Sequence, residues 1–281
     1  MLLFKKICQN SLAYKYDEKG NITEIRQFNK LLARYKYDSL SRLIREDNKN
    51  FDTTITFEYD AGGNIVCKKV YKFTLASNLD FETPLQNIPY TYPISGWRDQ
   101  LISYNGQSFE YDAIGNPTTY RGKTLEWSHG RRLDKFADIA QFTYNASGIR
   151  TAKFANGFTT SYFLNGNKII KQKDASNDMY FFYGVDGITG FNLNGTNYYY
   201  KKNAQNDIIG IYDNNGTQIC EYQYDAWGKT LCKYLSNSGE YVAIEDNYMY
   251  NDISNTNRFV AFKNPFRYRS YYYDFETGLS K

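Results

Sequence analysis

Glu221-Tyr-Gln-Tyr-Asp-Ala-Trp-Gly-Lys229 holds two rings two residues apart, then Asp225, then Gly228. In an extended strand side chains alternate between faces, so Tyr222 and Tyr224 share one. Asp225 follows, with a carboxylate able to accept from backbone N–H groups further along a turn. Gly228 lacks a Cβ and can take a positive φ at no steric cost. The segment reads as a strand entering a hairpin corner.

The same cassette recurs along the chain. Tyr14-Lys-Tyr-Asp-Glu-Lys-Gly-Asn-Ile22, Tyr35-Lys-Tyr-Asp-Ser-Leu-Ser-Arg-Leu43 and Phe57-Glu-Tyr-Asp-Ala-Gly-Gly-Asn-Ile65 place Tyr16, Tyr37 and Tyr59 at spacings of 21 and 22 residues. That period suits strand, turn, strand and connection. Ile55, Phe57 and Tyr59 alternate with polar residues and belong on one face. Ser41 stands where the other copies have glycine, so that corner has to tolerate an ordinary side chain. Phe109 to Pro117 and Phe142 to Gly148 are further copies, with Asn145 capping in place of Asp. Arg121-Gly122 reads as a tight turn. Trp127-Ser-His-Gly-Arg-Arg-Leu133 is a divergent copy with Trp127 in the aromatic slot and Gly130 in the turn, and Phe182 to Gly187 is a weaker one. Asp213 to Gly216 and Asp225 to Gly228 make two corners of a compact meander. The last cassette is Phe266 to Gly278.

Two regions break the pattern. Residues 78–96 carry Pro84, Pro89 and Pro93 and read as a long connection over the sheet edge. Residues 235–264 lose the cassette; 252–257 read as loop, with room for a short helix before it.

The 281 residues are 42% hydrophobic, 18% aromatic and 23% charged, which excludes a disordered chain and favours strands. A net charge of +4, spread along the chain, leaves no basic stripe for nucleic acid. Met1 to Asn10 turns charged at Lys5 and Lys6, so no signal peptide is expected, and no stretch approaches a membrane span.

Candidate chemistry weighs against the repeat at each position. The aspartates at 17, 38, 60, 112, 213, 225 and 274 supply the residue type of a carboxylate enzyme, but each falls in its own turn, and paired carboxylates need a set separation. His129 has no nucleophile motif beside it. Gly228-Lys-Thr230 has Gln223 where a phosphate loop needs its first glycine. Asp213-Asn-Asn-Gly216 begins like a calcium loop, yet Tyr224 falls at the closing Glu position. Cys8, Cys67, Cys220 and Cys232 lack metal-ligand spacing; Cys220 and Cys232 would bridge if they faced each other across a hairpin. The expected catalytic, cofactor-binding and metal residues are therefore none, and no cofactor is expected.

These cassettes resemble the tyrosine-aspartate repeats of the RHS family. Trp97 to Leu101, Tyr111 to Pro117 and Trp127 to Leu133 resemble the spacing of clostridial and bacillar members. Asp207-Ile-Ile-Gly-Ile211, Tyr222 to Gly228, Asn264-Pro-Phe-Arg-Tyr-Arg269 and Tyr271 to Leu279 resemble the start of the RHS-repeat-associated core. The resemblance covers nearly the whole chain, with residues 70–96 weakest. It implies an all-β fold, a tyrosine-aspartate-repeat antiparallel sheet spiralling as an open segment of a shell that encloses a C-terminal toxin. The Asp-Pro-x-Gly stretch that follows the last cassette in the family, part of a self-cleaving element, is absent here.

The expected organisation is repeats over 1–69, an irregular connection or insertion over 70–96, repeats over 97–204 and a truncated core over 205–281. The expected function is a non-catalytic structural segment of a toxin-encapsulating shell, or a truncated remnant of one. Its partners would be the rest of the shell and its toxin. The alternative is a cell-surface or carbohydrate-binding adhesin module, whose signature would be a row of outward rings; the Tyr-x-Tyr pairs are expected to pack inward instead. As part of a longer protein the chain would be secreted or on the cell surface, and cytoplasmic if expressed alone.

Overall fold

The computed structural model describes residues 11–244 and 255–280. The chain divides into two compact units, Met1–Glu110 with Thr119–Gly122, and Tyr111–Thr118 with Lys123–Lys281. The fold is all-β, in open antiparallel sheets. Each strand pairs with its neighbour in sequence: nine strands from Leu12–Tyr16 to Gln107–Ser108, and fifteen from Glu110–Tyr111 to Tyr241–Ala243.

The corners form as their residues demand. At the first, Asp17 N–H donates to the Asn21 carbonyl at 2.9 Å and Gly20 N–H returns to the Asp17 carbonyl at 3.1 Å. The same pair of bonds closes the corners at Asp38, Asp60, Asp112, Asn145, Asp213 and Asp225. Gly20 sits at φ 82, and Ser41 takes φ 62 in the corner without glycine. A left-handed conformation costs an ordinary side chain about 1–2 kcal/mol. Register slips by one residue beside Tyr16, Tyr37, Tyr59 and Tyr144. Such a bulge re-aims the side chain it carries.

Two corners escaped the motif. Asn203 caps its own corner, with Asn206 at φ 64 in the glycine position. Ser236 N–H donates to the Glu240 carbonyl at 2.8 Å and leads into the strand Tyr241–Ala243, so the pattern continues past residue 235. Their short polar side chains do the capping that Asp does elsewhere.

The expectation of a strandless connection over 78–96 is corrected. Gln86–Thr91 is an interior strand of the nine-stranded sheet. Pro89 is tolerated because the strand changes partner there. Residues Gln86 to Pro89 pair with Val70 to Cys67, and Tyr90 and Thr91 pair with Tyr104 and Ser103. The proline's missing N–H falls at the switch.

What covers the sheet differs between the units. In the first, the strand Leu43–Asn48 buries Arg45, Glu46, Asp47 and Asn48. Asp47 accepts from Arg34 at 2.8 Å, Arg45 at 2.7 Å and Thr54 at 3.0 Å. Arg34 and Arg45 also donate to the carbonyls of Leu75 and Thr74, and the Thr54 hydroxyl accepts from Thr74 N–H at 3.0 Å, which fastens the start of the long connection over the sheet. In the second unit an apolar core forms from Met179, Phe191, Ile208, Ile211 and Tyr222 under helix α1, Thr256–Lys263. Asn255 caps α1 by accepting from Arg258 N–H at 3.0 Å. The short helix expected before residue 252 falls on residues 245–254, which lie outside the described residues; α1 itself starts inside the run expected to be loop.

Candidate functional site: the hairpin corners and a buried ion cluster

The corner carboxylates are consumed by their own turns. Asp17 Oδ1 accepts from Lys19 N–H at 3.0 Å and Asn21 N–H at 2.8 Å, and Oδ2 accepts from Asn21 Nδ2 at 2.9 Å. Asp38 repeats this with Arg42 as the side-chain partner, at 2.6 Å, and Asp60 with Asn64, at 2.9 Å. Asp112 repeats it with Asn116. The side-chain bond from Asn21 holds the Asp17 carboxyl below its usual range, the backbone bond from Arg42 does so for Asp38, and the side-chain bond from Asn64 for Asp60. Asp213 and Asp225 likewise accept from backbone N–H groups two and four residues on.

The second ring of a cassette ties its corner to the one before. The Tyr37 hydroxyl donates to the Ile22 carbonyl at 3.0 Å, Tyr59 to Leu43 at 2.7 Å, Tyr144 to Leu133 at 2.7 Å and Tyr224 to Ile208 at 2.6 Å. Each acceptor is the first or second residue of the returning strand after the preceding corner. Tyr92 and Tyr183 make the same tie to Ile65 and Ile169. Trp127 makes it with its indole N–H, 2.7 Å from the Pro117 carbonyl, as a residue in the aromatic slot should. Phenylalanine could not serve, having no donor. Burial raises the hydroxyl pKa at Tyr37, Tyr59, Tyr144 and Tyr224, and to about 12 at Tyr183. Of the first rings, Phe57, Phe109, Phe142 and Tyr222 are buried and Tyr14 and Tyr35 half-buried, while Tyr16, a second ring, is exposed against the inward expectation.

Asp274 departs from the expectation that every cassette aspartate serves its own turn. Its backbone carbonyl still closes a turn with Gly278 N–H at 2.9 Å. The carboxylate is 2% exposed and accepts from Arg150 on one oxygen and Lys153, at 3.1 Å, on the other. Lys153 also meets Glu276 at 2.6 Å. Burial works against the Lys153 charge, but Tyr162, Asp274 and Glu276 hold its pKa above the ordinary value. Beside them Tyr272 donates to Gln172 Oε1 at 2.8 Å. This cluster joins residues more than 120 positions apart, and no local pattern marks it. The only trace in the sequence was two cations, Arg150 and Lys153, on one short strand.

The remaining candidates are placed plainly. His129 is exposed at φ 45 in its turn, with Nδ1 3.1 Å from the neighbouring Ser128 Oγ. Gly228 of the Gly-Lys-Thr run is a corner at φ 85, and a Cβ there would lie 2.7 Å from the Tyr268 ring. Asp213 to Gly216 is a turn, and no cluster of metal-ligating side chains occurs among the described residues. Cys220 and Cys232 are buried thiols with sulfurs 3.9 Å apart. They meet diagonally across adjacent strands rather than directly opposite: Cys220 pairs with Tyr234 and Cys232 with Tyr222. Some rings outside the cassettes do face outward; Phe163 and Tyr180 are exposed with Lys171 between them, 5.5 and 4.4 Å from the ring centres.

No family model matches the chain. The tRNA3(Ser)-specific nuclease WapA of Bacillus spizizenii and the tRNA nuclease WapA of Bacillus subtilis are each 29% identical to it over 254 residues, 86% of this chain. The chain spans only 9% of the length of each. A crystal structure of TcdB2-TccC3-Cdc42 superposes with a TM-score of 0.61 at 16% identity, covering 96% of this chain and 15% of that one. The Photorhabdus luminescens Tc holotoxin pore gives 0.52 at 15% identity, covering 96% of this chain and 14% of that one. The chain thus has the open antiparallel fold of RHS-type shell structures, and its sequence is similar to part of RHS-type toxin proteins.

Proposed function

We propose that the chain is a non-catalytic wall segment of an RHS-type shell, acting within a longer toxin protein whose payload the shell houses. The observation that carries this is the ladder of Tyr and Trp donors, each binding the corner before it. A ladder of this kind extends a sheet unit by unit and spends the polar groups that chemistry would need. The tRNA nuclease activity named for the relatives then resides in the part of those proteins that this chain does not span. The test is electron cryomicroscopy of the protein as its host expresses it, together with incubation of the purified chain with total tRNA. Consecutive wall strands and intact tRNA are the expected results. Cleavage of tRNA that co-purifies with the chain would overturn the non-catalytic reading.

The outward pair Phe163 and Tyr180, 48% and 46% exposed, favours one second reading, an adhesin that stacks sugars on these rings. Binding of the chain to an immobilised cell-wall glycan, lost in Y180A, would establish it.

A further inference from the structure

We propose that the second unit contains a binding site for a ligand bearing one carboxylate on an aromatic or apolar body. A cavity of about 470 Å³ lies between the strands Arg150–Ala155 and Phe158–Asn165 and the segment 259–276. That size is within the range of small-molecule sites. Rings form part of its wall, among them Phe158, Phe262, Phe275 and Tyr272.

Three cations line it, and two are neutralised. Lys153 meets Glu276 at 2.6 Å and Asp274 at 3.1 Å, and Lys263 meets Asp174 at 3.1 Å. Arg267 has no carboxylate partner among the described residues. It is 7% exposed, its Nε is buried without a hydrogen-bond partner, and Nη2 lies a long 3.5 Å from the Phe262 carbonyl. Its guanidinium rests instead on the rings of Tyr273 at 4.6 Å and Tyr222 at 5.5 Å. A guanidinium does not shed its proton in a protein, so the charge stays. Ring faces return less than a buried charge costs.

The cavity therefore offers one uncompensated cation with a planar donor fork, which fits a carboxylate. Asp174 and Glu276 on the same wall disfavour a dianion such as a phosphate monoester. The site is independent of the wall reading, since a shell segment could hold or lack such a ligand.

The test titrates the full chain with 3-phenylpropionate and with its neutral counterpart 3-phenylpropanamide by calorimetry. A charge-assisted bond predicts saturable binding of the acid, about tenfold or more tighter than the amide. R267M should remove that preference while the circular dichroism stays unchanged. A155L, which narrows the cavity without touching the guanidinium, should weaken the acid by a similar factor. Absent saturable binding, equal affinity for acid and amide, or full binding in a folded R267M or A155L would each overturn the proposal. Should both variants fail to fold, the acid-to-amide ratio on the unaltered chain decides alone.

Discussion

Gly20 and Gly228 occupy the same place in the same corner, at φ 82 and 85, yet only one is covered. Around Gly20 a Cβ would meet nothing within 4 Å, whereas at Gly228 it would enter the Tyr268 ring. The two units diverge in the same way. In the first, Arg34, Arg45 and Asp47 fasten a polar connection over the sheet. In the second, α1 and the residues after it lay Val260, Ala261 and Phe266 on an apolar face, and Tyr222 donates to the Ala261 carbonyl at 2.6 Å. The corner is a local device that works with or without a cover. The cover is what turns a repeat into a particular place in the molecule.

The largest effect should come from the buried cluster. D274N leaves Arg150 without its anion and Lys153 with Glu276 alone, and should cost about 3 kcal/mol or more, read from urea unfolding followed by far-UV circular dichroism. D17N changes the same residue type in an open corner, where an amide oxygen can accept the same N–H bonds as Asn145 and Asn203 already do. It loses only the bond from Asn21 Nδ2 in an open corner, so its unfolding midpoint should fall far less than that of D274N. Equal effects from D274N and D17N would erase the distinction between covered and open corners.

The glycine pair sharpens it further. G228A adds displacement of the Tyr268 ring to a left-handed backbone and should cost roughly 2–4 kcal/mol, while G20A carries only the backbone strain of about 1–2 kcal/mol. Thermal unfolding of the two variants measures the difference.

Smaller again is the tie between corners. Y224F loses one buried hydrogen bond, about 1 kcal/mol by the same denaturant titration. Y16F should be silent, because the Tyr16 ring is 56% exposed and its hydroxyl makes no hydrogen bond to the described residues.

The pH response separates the corner's two chemistries. The carboxyls of Asp17, Asp38 and Asp60 are depressed, so their contribution is present above the unfolded value near pH 4 and fades as pH falls through the folded one. The tyrosine hydroxyls are raised, so theirs is present below about pH 10 and lost as pH rises, with Tyr183 spent by about 12. Thermal midpoints measured from pH 3 to pH 11 should fall at both ends. A Y37F/Y59F/Y144F chain should show a shallower alkaline fall.

Corner chemistry was legible in residues 14–22, 35–43, 57–65 and 221–229 because it is written within nine positions. Even the substitutions could be read: Asn145 for Asp, and Trp127 for Tyr. Asn203 and Ser236 were missed because a cap needs only a short polar acceptor, and a cassette searched for by its Asp and Gly passes over them. Pro89 misled because proline excludes only the ladder bond it would have donated, and the strand has none to give where it changes partner.

The sequence alone determined the repeat: paired rings, a capping acid and a left-handed residue recur, and each acts on atoms a few positions away. Only the tertiary structure decided that Asp274 abandons its own turn for Arg150 and Lys153, that Tyr268 seals Gly228, and that Arg267 is buried without an anion beside a cavity. Those contacts join residues up to 124 positions apart. Periodicity cannot encode them, because which side chain meets which depends on where the sheet carries each one, and that emerges only when every corner has closed.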